Sequence, residues 1–250
     1  MKTILSKTRN QLMKENKIRD YLLSGIGEIA LLIIGILLAL WIDQQADYQN
    51  ERDDELEIIK EIKANLEVDL DIISNDLEVM KRVDIYCDSV TLFLNKNDTP
   101  SYKFGYYVPK TLISPHFNSV QSGYKLLTSK GIKIIRNDSL RRHISELYDS
   151  DYPYYTRYEN EHNAFINMHG YSLVKQYFSW YNDTSTVYLG SYSISNNDYG
   201  ELKENGDFLK LTSLLKAENN VVKSRATRIS NKISSLILFL EAEIKEFHND

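Results

Sequence analysis

From Tyr21 to Ile42 the chain reads YLLSGIGEIALLIIGILLALWI, 22 residues with one ionisable group, Glu28. At about 1.5 Å per residue such a helix is roughly 33 Å long, enough to cross a hydrocarbon core. Tyr21 and Trp41 stand at its two ends, where amphipathic rings favour the headgroup layer. After an acidic stretch the pattern changes. Ile59, Ile62, Leu66, Leu70, Ile73, Leu77 and Met80 follow one another at spacings of 3 and 4, a heptad-like helical seam. Val83, Tyr86, Val90 and Phe93 continue it on a shifted face, with Cys87 seven residues after Met80 on the packed side. Neither Gly nor Pro occurs between Gly35 and Pro100, so one helix is expected to run from the apolar span into this stalk.

Asn97-Asp98-Thr99-Pro100 stops that helix, and Tyr102–Pro115 reads as a loop or short extended piece. Phe117–Lys130 is expected to be a helix closed by Gly131 as its C-cap. Asn137-Asp138 caps Ser139–Asp149, whose apolar stripe is Leu140, Ile144 and Leu147. Pro153 opens a long aromatic helix, Tyr154–Tyr181. Residues 182–206, rich in Asn, Ser, Asp and Gly, read as loop. Asp207–Leu215 and Val221–Phe247 complete the chain, with no hairpin and little strand alternation. The expected architecture is all-α: one membrane helix (21–42), a helical stalk (43–97) and an antiparallel helical bundle (98–250).

Charge adds orientation. Six basic residues (Lys2, Lys7, Arg9, Lys14, Lys17, Arg19) precede the span against two acids, Glu15 and Asp20. Only Arg52 and Lys60 are basic in the 20 residues after it. The positive-inside rule then places the tail, 1–20, in the cytoplasm and 43–250 outside. The apolar run is longer than a secretory h-region and has no small-residue pair at its end, so a retained anchor is expected. Residues 43–250 hold 24 basic and 32 acidic side chains, which argues against nucleic acid as partner. The acidic run Asp43, Asp47, Glu51, Asp53, Asp54, Glu55, Glu57 and Glu61 lacks the Gly of a calcium loop and reads as a solvated helix face. One cysteine excludes an internal disulfide framework and a multi-Cys zinc site; Cys87 is expected to be a buried thiol, with an intersubunit disulfide as alternative.

Candidate chemistry is sparse. Glu28 is the expensive residue of the span, and Gly35 and Ala39, seven and eleven positions on, share its helix face. That strip suits contact with another helix; a proton-coupling carboxylate is the alternative. Glu159-x-x-His162, followed by His169, has the one-face spacing of carboxylate-bridged metal bundles. Such sites need a second pair, and the sequence has none, so no metal, cofactor or catalytic residue is assigned. Phosphate loops and nucleophile elbows are absent. Ten of the 18 tyrosines fall between Tyr148 and Tyr192; Tyr148, Tyr152, Tyr154, Tyr155 and Tyr158 are either core packing or a recognition surface.

Two stretches carry a resemblance: Tyr21–Gln44, with Gly27-Glu28-Ile29, Gly35-Ile36 and Ala39-Leu40, and Asn118–Asp149, NSVQSGYKLLTSKGIKIIRNDSLRRHISELYD. On these the chain resembles the "domain of unknown function 6090" proteins, a single-pass membrane family of Bacteroidota. The resemblance implies an envelope protein of a Gram-negative bacterium and carries no activity or cofactor. The expected function is a membrane-anchored scaffold or interaction module, in contact with the lipid bilayer and with its own copies or another membrane protein. Its rivals are an accessory subunit of a proton- or ion-coupled complex using Glu28 and a ligand-binding sensor bundle without its own output domain.

Overall fold

The absence of Gly and Pro over residues 36–99 has the expected result: one helix, α1, runs Lys17–Lys96. The computed structural model describes residues 17–96, 98–181 and 191–247, and its contacts divide the chain into two units, Met1–Glu55 and Leu56–Asp250. In the first unit the apolar stretch is uncovered. Its large side chains from Ile26 to Ile42 are 49% to 71% exposed, and this is the helix long and apolar enough to cross a membrane. Most of the acidic run is exposed or half-buried; Glu55 departs from the expected solvated face, being fully buried beside Arg52 at 3.0 Å.

In the second unit the rest of α1 is a wall of the bundle, the helical domain packing against the stalk, and the unit boundary falls at residues 55/56. Ile59, Ile62, Leu66, Ile73 and Met80 are fully buried, and Val83, Cys87, Val90 and Leu94 extend the seam. The seam is therefore filled by the same chain. Its partner is the last helix. The two pieces expected at 207–215 and 221–247 are one helix over Asp207–Phe247. The gap closes because Asn219, a poor helix former, is buried and donates to the Met80 carbonyl at 2.8 Å and to Asp84 Oδ1 at 2.7 Å. Lys216–Asp88 at 2.5 Å, Lys223–Asp84, and Lys63–Glu241 at 3.3 Å lie along the same seam, fixing an antiparallel register.

Short elements fill the remaining sides. Tyr102–Tyr107 (α2) and a 3-10 turn, Val108–Leu112, replace the loop expected there, because Phe104, Val108 and Leu112 bury against the lower seam. Ser122–Lys130 (α3) begins five residues later than expected and ends at Gly131, whose φ of 97° fits a glycine. Asp138–Glu146 (α4) is capped by Asn137, which accepts from the Ser139 and Leu140 amides. A π turn, Leu147–Asp151, leads into Tyr152–Phe165 (α5). A second π turn, Ile166–Gly170, precedes Tyr171–Tyr177 (α6), so the long aromatic helix is broken and ends four residues early. Past it the chain forms a hairpin that the loop reading did not include. Ser179–Tyr181 (β1) pairs antiparallel with Ser191–Ser193 (β2), Trp180 facing Tyr192. Asn196–Glu204 (α7) and then the long helix, α8, follow.

Candidate functional site

Between the 3-10 turn and α3, residues 113–121 form neither helix nor strand. Such a backbone has no ladder to satisfy its N–H groups, and burial makes each unpaired one expensive. Here α1 and α5 supply side-chain acceptors instead. The Phe117 amide donates to both oxygens of Glu159 at 3.1 and 3.2 Å. The Val120 amide donates to Asp69 Oδ1 at 2.8 Å, and the other oxygen of Asp69 accepts the Tyr152 hydroxyl at 2.7 Å. At the entrance to α3, Asn65 Oδ1 accepts the Gly123 amide at 2.8 Å. We call residues 113–121 the strap. Phe117 anchors it, buried with ring centroids 5.2 Å from Tyr152 and 5.8 Å from Tyr155.

The electrostatics under the strap are those of carboxylates removed from water. Glu159 is fully buried; desolvation pushes its pKa up to about 7, and the nearby charge of Asp76 adds to the rise. Asp76 is raised by burial as well, opposed by His116, and its Oδ2 is buried with no hydrogen-bond partner. Asp69 is also raised by burial, with the Val120 amide and Tyr152 pulling the other way. On the strap, the half-exposed His116 places Nδ1 4.0 Å from Glu159 Oε2. The buried hydroxyl of Tyr155 lies against Glu159 and works against the rise in its pKa, and both ring nitrogens of His162 are buried and unpartnered. Burial drives the His162 pKa down, so that imidazole is held neutral.

Of the two residues in the Glu-x-x-His fragment, Glu159 belongs to this cluster and His162 lies one turn on, almost fully buried. His169 does not share their face: it is exposed, because the π turn at Ile166–Gly170 inserts an extra residue and rotates the helix. Among the described residues no three of His, Cys, Asp or Glu are grouped to hold a metal ion.

The five tyrosines separate. Tyr148, Tyr152 and Tyr155 are 6%, 3% and 0% exposed, so a recognition surface built from them is corrected to core. Their rings are needed to fill the space beneath the strap, Tyr148 also stacking on Tyr124 at 4.5 Å. Tyr154 is exposed and Tyr158 half-buried against the core, their hydroxyls 3.1 Å apart, with Arg157 and Arg225 over both rings. Elsewhere, a groove of about 650 Å3 between α4 and α8 holds Arg228, Asn231 and Lys232, the last already paired with Glu146 and Asp151. Glu28, Gly35 and Ala39 are exposed in the first unit. Cys87 is buried and its thiol is pushed up to about 12 by burial. The tail basic residues up to Lys14 lie outside the described residues.

Sequence reasoning passed over Asn65, Asp69 and Asp76. The available signal was polar residues spaced by four and seven beside an apolar helical seam, which places them on the buried face. Comparison with protein-family models, with curated proteins and with solved structures gives no match.

Proposed function

We propose that the protein is a single-pass membrane anchor carrying a helical interaction module, a member of the family that Tyr21–Gln44 and Asn118–Asp149 resemble. In this reading the tail is cytoplasmic and the bundle lies outside the inner membrane. The observation that supports it is the uncovered span. The most apolar window of α1 averages a hydropathy of 2.4 and none of it is buried by the chain. Each large apolar side chain left in water forgoes about 1.5–3 kcal/mol of burial, so lipid or other helices must cover this stretch. The bundle, by contrast, satisfies its own seam. Work is therefore assigned to surfaces and to the span, with no reaction.

Alkaline carbonate extraction of native membranes tests the anchor: the full chain stays in the pellet, and its release into the supernatant would defeat the reading. Cysteines introduced one at a time at exposed positions of α8 test orientation, since an impermeant maleimide labels them from the outer side only. A second reading rests on Glu28, which has no hydrogen bond or ion pair among the described residues. A carboxylate at mid-bilayer costs about 2.5–3.5 kcal/mol on insertion scales and less toward the interface; Glu28 stands seven residues, about 10 Å, into the span, a cost usually retained for a use. That use is a contact with another helix or, in an accessory subunit, a proton. Crosslinking and mass spectrometry in native membranes separate the two: self-crosslinks support the module, whereas a multi-span partner together with loss of function in Glu28→Gln supports coupling.

A further inference from the structure

We propose that Glu159 and Asp76 form a proton-operated latch, closed when the carboxylate pair holds one proton and released when it holds none, so that the strap opens and uncovers the aromatic nest beneath it. This rests on the closed geometry of the bundle and is independent of where the bundle sits.

Geometry supplies the parts. Glu159 and Asp76 come from different helices, α5 and α1; Glu159 holds the strap's Phe117 amide, and Asp76 is close enough for its charge to act on Glu159 and to feel that of His116. Between them the strap offers one main-chain donor, the Phe117 amide, and Glu159 takes it with both oxygens. Asp76 Oδ2 has none. Glu159 has the Phe117 amide and the Tyr155 hydroxyl, but two full charges in that space are costly to remove from water unless each is paired. One proton on the pair relieves this. The groups that face Glu159 are His116 from the strap, Asp76 from α1, and Tyr155 on its own helix. Asp69 is engaged by Tyr152 and Val120, and His162 is neutral. Arg225 of α8 lies over Tyr154 and Tyr158. At the edge of the cluster, half-exposed His116 places Nδ1 4.0 Å from Glu159 Oε2.

With Glu159 raised to about 7, the change falls between pH 5.5 and 8.5. Opening lifts Phe117 from Tyr152 and Tyr155, turning rings that are core in the closed state into a reachable surface.

The test is amide hydrogen exchange on the full chain in lipid nanodiscs, expressed as protection factors so that the intrinsic pH dependence cancels. The Phe117 and Val120 amides are expected to lose protection at least tenfold from pH 5.5 to 8.5, with little dependence on added urea, the mark of local opening. In Glu159→Gln, which keeps a carbonyl acceptor for Phe117, that loss is expected to fall below twofold. Asp76→Asn, which leaves Glu159 in place, serves equally if the first variant does not fold. The proposal is overturned if strap amides exchange with the same protection and urea dependence as Ile229 and Leu240 of α8. It is equally overturned if either folded variant keeps the wild-type pH dependence.

Discussion

Asp69 shows how a single buried carboxylate holds non-helical backbone. It gives one oxygen to the Val120 amide and the other to the Tyr152 hydroxyl, so both donors depend on it. Removing an acceptor strands its donors, each at about 1–3 kcal/mol when buried. Asp69→Ala is therefore expected to lower unfolding stability by about 3 kcal/mol, and Tyr152→Phe by less, since only one donor is lost. Urea denaturation of both variants checks the order; equal losses would contradict it. Glu159 and His162 set opposite pH limbs. In the folded chain Glu159 keeps its proton up to about 7, whereas its ordinary value is 4.5. Across that window the folded state binds more protons than the unfolded one, so stability falls as pH rises, by about 3 kcal/mol in all. His162 is depressed, so the unfolded state takes up a proton below about 6.5 that the folded state refuses, and stability falls there as pH drops. The melting temperature should thus peak in mildly acidic solution. Glu159→Gln is expected to flatten the alkaline limb only, and His162→Leu the acid limb only.

Elements show which parts of the fold a sequence declares. α1 and the end of α8 were legible because long apolar periodicity without Gly or Pro admits few alternatives, and Asn137 because a cap acts through its own neighbours. The strap was not legible. Phe117–Gln121, expected to open a helix, forms neither helix nor strand, because acceptors on α5 and α1, 42 and 51 residues away, take the Phe117 and Val120 N–H groups. No local pattern reports a partner that distant. The π turns failed for a related reason: one extra residue per turn leaves composition unchanged while rotating every later side chain, as His169 shows. Close approach is similarly hidden. At Gly123 a Cβ would sit 2.7 Å from the Ile62 amide nitrogen and 2.9 Å from its Cγ1, against main chain that has nowhere to go. Gly123→Ala is expected to destabilise by more than 1 kcal/mol, at the scale of overpacking, even though alanine favours helix at that position. Gly200→Ala, with open space at its Cβ, is the matched control and should be neutral or slightly stabilising by thermal unfolding.

For the whole molecule, what covers the span of the proposed anchor divides by helix face. Lipid satisfies Leu37 and its neighbours, since hydrocarbon is as apolar as they are. It does not satisfy Glu28. Gly35 and Ala39 lie within about 20° of that carboxylate on a helix turning about 100° per residue, whereas Leu37 is on the opposite side. Two copies packed on the glutamate face would bring backbones close at the small residues and set each Glu28 beside the other. Cys87 makes the experiment clean: buried and held far from its thiolate, it is poorly reactive, so introduced cysteines report alone. Under mild oxidation in native membranes, Ala39→Cys is expected to form a disulfide dimer several-fold faster than Leu37→Cys. Adding Gly35→Leu to Ala39→Cys should remove most of that advantage by forcing the helices apart. Equal rates at positions 39 and 37 would show that the helices meet by collision and not on this face. Glu28 would then have to find its partner in a different protein, which is the condition the coupling reading requires.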